Sequence, residues 1–222
     1  MLDERMKNAS IDIRFLLDRD YEKASAIKFV GNKYLLNKSE RHMLYRALYS
    51  KVEINATKRK LVPFENISGK HLAVDGYNIL ITVETLLEKN NEKPVIDCDD
   101  GILRDVSGVF GSYVITQVTF EAIDTILSQI TQNPPKLIQF FFDSQVSKSG
   151  ELAKIIREKM TEFALNGAAE TVKQVDTALK TLDCDIVATS DTIIIAHAPA
   201  VVDIPRRLSE TIIPPIILLK LP

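Results

Sequence analysis

Three short apolar runs in this chain stop at an aspartate, and two of them lead into segments whose apolar residues recur at helical spacing. His71-Leu72-Ala73-Val74 is closed by Asp75-Gly76, Leu137 to Phe142 by Asp143-Ser144, and Asp185 to Thr189 by Ser190-Asp191. Short apolar runs bounded by turn-forming residues read as strands buried on both faces. Alternation with helices then calls for a mostly parallel sheet covered by helices. Helices are expected over Tyr77 to Glu88, Val118 to Ile130 and Glu151 to Phe163. In the second of these Val118, Ala122, Ile123, Ile126 and Ile130 form one stripe. The expected class is α/β, and the tyrosines and phenylalanines, mostly on apolar faces, are expected in its core.

Upstream the pattern changes to helices alone. Tyr21 to Val30 sets Ala24, Ile27 and Val30 on one face, with Gly31-Asn32 as the expected stop. A second helix is expected to start at Ser39 as N-cap, carrying Met43, Leu44, Ala47 and Leu48 inward and Arg41 and Arg46 outward. A basic cluster, Lys58-Arg59-Lys60, precedes Pro63, and the boundary is expected by Ser68-Gly69. Residues 1–66 are thus read as a small all-helical basic domain and residues 67–222 as the α/β domain.

Charge follows the same division. Residues 1–66 hold 14 Lys and Arg against 9 Asp and Glu, whereas the rest hold 14 against 21. A basic front and an acidic back suit a protein that holds a polyanion beside a cation-loaded cleft. Chance distribution of surface charge is the plainer alternative, just as a helical hairpin more often packs than binds nucleic acid.

Several classes are disfavoured. Two cysteines, Cys98 and Cys184, are too few for a disulfide framework or for a four-ligand zinc site without histidine help. A reducing, cytoplasmic setting is the natural expectation. The opening MLDERMKNAS has no apolar stretch of the signal-peptide kind, and the run Ile212 to Leu219 is short and broken by Pro214 and Pro215, so no membrane partner is expected. His42, His71 and His197 stand in dissimilar contexts, which gives a Ser-His-Asp triad little support.

The aspartates carry the chemistry. Ligands of open parallel sheets bind beyond the carboxyl ends of the strands, so Asp75, Asp143 and Asp191 are expected to converge there. Crowded carboxylates repel unless a cation neutralises them, and Mg2+ or Mn2+ favours oxygen ligands while keeping waters. The plainer reading of each is a helix cap. Further acids stand in Asp97-Cys98-Asp99-Asp100-Gly101-Ile102-Leu103-Arg104-Asp105, around a single arginine, and in Lys173-Gln174-Val175-Asp176, where Asp176 would meet a helix N-terminus. Candidate metal ligands are therefore Asp75, Asp143, Asp176, Asp191, Asp100 and Asp105. Phosphate contact is expected from Asn78, Arg104, Ser147, Lys148 and Ser149, although Ser147-Lys148-Ser149-Gly150 lacks the spacing of a P-loop. Arg104 reads equally well as a structural ion pair with its neighbouring aspartates.

LAVDGYNIL (Leu72 to Leu80) resembles the first motif of the NYN branch of PIN-like nucleases, and KQVDTAL (Lys173 to Leu179) and ATSD (Ala188 to Asp191) resemble its later motifs in order. More specifically, NKYLLNKSERHMLYRAL (Asn32 to Leu48), DDGILRD (Asp99 to Asp105) and DSQVSKSGELA (Asp143 to Ala153) resemble an uncharacterised, mainly archaeal two-part family: a helical domain of unknown function before a PIN-like domain. The resemblance covers residues from about 15 to 210. It implies a PIN-like three-layer fold and metal-dependent hydrolysis of phosphodiester bonds in nucleic acid, RNA in preference to DNA, through a metal-activated water. Asp75, Asp176 and Asp191 would be the catalytic acids, and PIN-like domains often pair as homodimers. The chain departs from the usual pattern after the second strand, where an acid is hard to place and Asp100 or Asp105 is the substitute.

Two readings compete. Asp97 and Asp99 have the two-residue spacing of a haloacid-dehalogenase phosphatase, but Gly101 replaces the usual threonine. The alternative without chemistry is an RNA-binding or assembly module on a degenerate PIN fold.

Overall fold

The structure is a computed structural model that describes residues 3–88, 95–106, 113–211 and 219–220. In chain order it opens with α1 (Glu4–Leu17), α2 (Lys23–Lys33), α3 (Lys38–Ala47) and α4 (Lys51–Lys60). β1 (His71–Asp75), α5 (Gly76–Leu87), β2 (Val95–Asp97), β3 (Leu103–Asp105), α6 (Gln117–Thr131) and β4 (Leu137–Asp143) follow. α7 (Ser149–Glu162), β5 (Gly167–Val172), α8 (Val175–Thr181), β6 (Ile186–Ala188), α9 (Thr192–His197), β7 (Val201–Val202), α10 (Ile204–Thr211) and β8 (Leu219–Lys220) complete it. The apolar run from Ile212 lies outside the described residues, apart from the backbone of Leu219 and Lys220. No helix among the described residues is long and apolar enough to cross a membrane.

The chain divides into two compact units: Met1–Arg59 with Glu92–Val106 and Ile217–Pro222, and Lys60–Asn91 with Ser107–Ile216. The break between Arg59 and Lys60 falls within the expected boundary stretch from Lys58 to Gly69, and the Asp99–Asp105 segment belongs to the front unit. The reason is burial. Ile96 and Cys98, from the β2–β3 ribbon, complete the apolar core that Ala9, Ile13, Ala26, Val30, Leu44 and Leu48 build between the front helices. The front unit is accordingly not all-helical: β2 pairs antiparallel with β3 and parallel with β8.

Local chemistry explains the front helices. Asp3 caps α1 by accepting from the Met6 N–H. α2 runs through Gly31 to Lys33 rather than stopping there. Gly31 lies under the Arg41 guanidinium, where a Cβ would be 2.8 Å from Arg41 Cζ, and the left-handed residue that ends the turn is Leu35. Asn37, not Ser39, caps α3, in a reciprocal capping box with Glu40. Arg41 turns back onto the Leu36 carbonyl. The expectation that aromatic side chains are core fails here, because Phe15, Tyr21, Phe29 and Tyr45 are exposed.

The second unit is the expected α/β body. Its five-stranded sheet runs β5-β4-β1-β6-β7 with every pairing parallel. β1 is central, and Leu72, Ala73 and Val74 are fully buried between its neighbours and the flanking helices. At roughly 25 cal/mol per Å2 of apolar surface removed from water, such side chains contribute about 1.5–3 kcal/mol each. β5 escapes an alternation search because it is an edge strand with only Ala169 buried. Gly76 opens α5 directly under the Phe142 ring, and a Cβ there would collide with it. This close approach sets α5 tightly against the end of β4.

Candidate acidic site

Parallel pairing puts the carboxyl ends of β4, β1 and β6 side by side, so Asp143, Asp75 and the Thr189-Ser190-Asp191 corner share one edge of the sheet. Asp75 is the last residue of β1 and makes no capping hydrogen bond to α5. Its Oδ2 accepts from the Thr189 hydroxyl at 2.9 Å. The corner is pinned further by Asn78, whose Oδ1 accepts from the Ser190 N–H at 2.8 Å, and by the Asp191 N–H, which donates to Thr189 Oγ1. The DGYN motif thus ties β1 to the turn after β6.

Electrostatics single out Asp75. Burial pushes its carboxyl up to about 7; the Thr189 hydroxyl and the Asn78 N–H work the other way, while Asp191 and then Asp176 add repulsion. Among the described residues neither Asp75 nor Asp191 has an ion-pair partner. Three of the expected acids therefore act on one another, at Asp75. They are not equivalent. Asp191 caps α9, and both capping bonds, from Ile193 N–H and Ile194 N–H, fall on Oδ1. Asp176 is exposed in the first turn of α8, where the Thr177 N–H and then Lys180 hold its carboxyl below the usual range. Asp143 spends Oδ1 on the Gln145 N–H, and its charge is felt by Tyr77.

The remaining candidates have their own settings. Asp100, Arg104 and Asp105 belong to the front unit. Arg104 is 2% exposed and holds both oxygens of Asp100 at 2.7 Å, so Asp100 is a structural partner rather than a metal ligand, and Arg104 has no open face for substrate. Burial works against the Arg104 charge, yet Asp100 and its neighbours outweigh it and hold the guanidinium firmly protonated. Asp105 is buried on β3. Asp99 receives Arg14 on both oxygens, one at 2.7 Å, which removes it as the free acid of a phosphatase pair. Ser147 and Lys148 are exposed before α7, Lys148 at φ 65° with no capping bond from its side chain, while Ser149 is buried.

Sequence reasoning missed Thr189, Ser190 and Tyr77. Thr189 was visible in ATSD as the hydroxyl two residues before the aspartate. Tyr77 stacks edge-on against Phe142 (5.1 Å, 82°) and Tyr113 (5.2 Å, 62°), and its hydroxyl is buried without a partner.

Among the described residues no group of three His, Cys, Asp or Glu side chains is arranged to cage a metal ion. Mg2+ does not need such a cage, because it keeps several waters and is commonly held by one or two carboxylates together with substrate phosphate. Asp75, half-buried, repelled by Asp191 and without a cation partner among the described residues, fits that open mode of binding.

A family profile described as Domain of unknown function (DUF5616) matches residues 64–207, and one described as Protein of unknown function (DUF434) matches residues 5–60. An uncharacterized protein of Methanocaldococcus jannaschii is 40% identical over 190 residues, covering 86% of this chain and 88% of that protein. No solved structure matches.

Proposed function

We propose that this chain, which belongs to the family described as Domain of unknown function (DUF5616), hydrolyses phosphodiester bonds in nucleic acid at its Asp75 edge, with Mg2+ or Mn2+ as cofactor. The observation that carries the reading is a half-buried carboxylate with no ion-pair partner among the described residues, at the carboxyl end of the central parallel strand, repelled by Asp191 and Asp176. RNA is put before DNA on the motifs of Leu72 to Leu80, Lys173 to Leu179 and Ala188 to Asp191, which also favour a PIN-like kinship. The two cysteines, neither of them in a disulfide, suit a cytoplasmic setting.

Asp75 and Asp191 are the residues that would hold the ion, with Asp176 at the mouth reaching it through water. Once bound, such an ion polarises phosphate and makes hydroxide available from water near neutral pH. The chain supplies orientation. Thr189 fixes Oδ2 of Asp75, and Asn78 locks the turn that carries Asp191. Asp191 is held rigid because its helix-capping bonds use a single oxygen.

Mn2+-dependent cleavage of labelled RNA and DNA by the wild type, beside Asp75→Asn and Asp191→Asn, tests this. Losses of roughly 10²-fold or more in both variants are expected, since each removes an ion ligand from a small set. Equal turnover in all three samples defeats the reading.

A further inference from the structure

The exposed aromatic side chains of this protein are gathered on the basic unit. Among the described residues Phe15, Tyr21, Phe29 and Tyr45 are the aromatics with large exposed areas, between 45% and 71%, three of them on the front helices and Tyr21 in the turn between α1 and α2. Exposed aromatics of this size are out of place on a surface that only has to meet water.

Two of them lie on adjoining helices. Asp12 on α1 accepts from Lys33 Nζ at 2.7 Å and from the Tyr34 hydroxyl at 2.9 Å, which ties α1 to the end of α2. Phe15 on α1 and Phe29 on α2 are 53% and 71% exposed. Arg19 continues the α1 stripe, its guanidinium 3.5 Å from the Phe15 ring centroid.

The charge around this face is unbalanced. Many acids of the unit are engaged: Asp3 and Glu40 with Arg5, Asp12 with Lys33, Asp18 with Lys51, Asp99 with Arg14, Asp100 with Arg104, and Glu22 with the N–H groups that open α2, whereas Glu4 and Asp20 are exposed with no ion-pair partner among the described residues. The exposed cations Lys7, Arg19, Lys28, Lys38, Lys58 and Arg59 have no carboxylate partner among the described residues. Flat apolar rings within an excess of mobile positive charge are complementary to a chain with stacking faces and a negative backbone. A folded protein partner would not call for the surplus of cations, and a duplex keeps its bases stacked inside.

We infer that the α1–α2 face of the front unit binds single-stranded nucleic acid, with bases stacking on Phe15 and Phe29 and the backbone drawn to Arg19, Lys28 and their neighbours. The inference does not rest on the Asp75 edge, and it is tested with hydrolysis switched off.

The experiment is fluorescence anisotropy of the full chain in EDTA with labelled single-stranded RNA, single-stranded DNA and duplex DNA. Phe15→Ala and Phe29→Ala should each weaken single-strand binding about 5- to 100-fold, as expected for loss of one base–aromatic stack. Phe29→Trp should restore it, which a merely structural role would not require. Both side chains are exposed, so unfolding midpoints should stay unchanged. Arg19→Ala with Lys28→Ala should lower the slope of log K against log salt by about one to two. RNA and DNA arms that behave alike identify stacking on bases in general; a stronger RNA arm adds contact to the 2′-hydroxyl. The inference is overturned if single strands do not bind, if the alanine variants bind as the wild type does, or if duplex binds equally well. Self-association abolished by Phe29→Ala, with no loss of oligonucleotide affinity, would assign the face to a second copy instead.

Discussion

Asp100 in the front unit is fully buried and Asp75 in the second is half-buried, and the chain treats the two carboxylates in opposite ways. Asp100 is fully buried and meets the Arg104 guanidinium with both oxygens at 2.7 Å, a closed arrangement that asks nothing of solvent or ligand. Asp75 has the Thr189 hydroxyl and the Asn78 N–H beside it, no cation partner among the described residues, and two further carboxylates acting on it. A buried charge that is satisfied internally is part of the architecture. One left in deficit at the carboxyl end of a central strand is where a ligand completes the structure. Both motifs look alike in sequence, DDGILRD and AVDGYN, because both are an aspartate beside a turn.

The comparison breaks most visibly if Asp100 proves dispensable. Replacing Asp100 by Asn leaves Arg104 charged and buried without the carboxylate that balances it, and removal of one charge of such a pair costs about 3–5 kcal/mol. Chemical denaturation of Asp100→Asn should show a loss of that order, with nucleic-acid cleavage per folded molecule retained. A loss below about 1 kcal/mol would mean that water reaches Arg104, and the contrast with Asp75 would collapse.

Asp75→Asn should move stability the other way. The folded protein holds the Asp75 proton up to about pH 7, whereas the unfolded chain releases it near its ordinary value of 3.8. Stability from this group is therefore present in acid and is lost as pH rises from about 4 to about 7, by no more than about 4 kcal/mol. Without divalent ions, Asp75→Asn should be the more stable protein at pH 8, by roughly 1–3 kcal/mol, and should lose this pH dependence. Added Mn2+ should raise the wild-type melting temperature at pH 8 and leave that of Asp75→Asn unmoved. A wild type whose stability rises between pH 4 and 7 once the other carboxylates are allowed for, with Asp75→Asn no different, would show that Asp75 is already compensated.

How far the sequence reveals this contrast depends on what sets each feature. Strands β1 and β4 and the helices after them are written in local apolar pattern, so Leu72 to Val74 and Leu137 to Phe142 are legible within a residue or two. Asp75, Asp143 and Asp191 are legible as neighbours because strand ends of a parallel sheet share an edge, whereas Asp176, in the first turn of α8, is legible only through the KQVDTAL resemblance. The placing of Asp99 to Asp105 is not legible. What draws that ribbon to the front helices is burial of Ile96 and Cys98 in a core whose other members lie many residues earlier. Nor does local pattern tell exposed Phe15 and Phe29 from core phenylalanines, since exposure is decided by which helix faces meet. Arg104 is half legible: an arginine among four aspartates announces an ion pair, but only the fold decides that its interior position rules out a substrate role.

The smallest effect sharpens the comparison within the Asp75 edge. Asp191 weighs more on the Asp75 proton than Asp176 does, because Asp176 is exposed and part of its charge is met by Lys180 at 3.3 Å. In a carboxylate NMR titration without divalent ions, Asp191→Asn should lower the Asp75 midpoint more than Asp176→Asn does. Asparagine serves as a helix N-cap about as well as aspartate, so the Asp191 substitution keeps α9 in place and reports the lost charge alone. The reverse order would put Asp176 nearer the reacting phosphate and make it, rather than Asp191, the second residue to hold the ion.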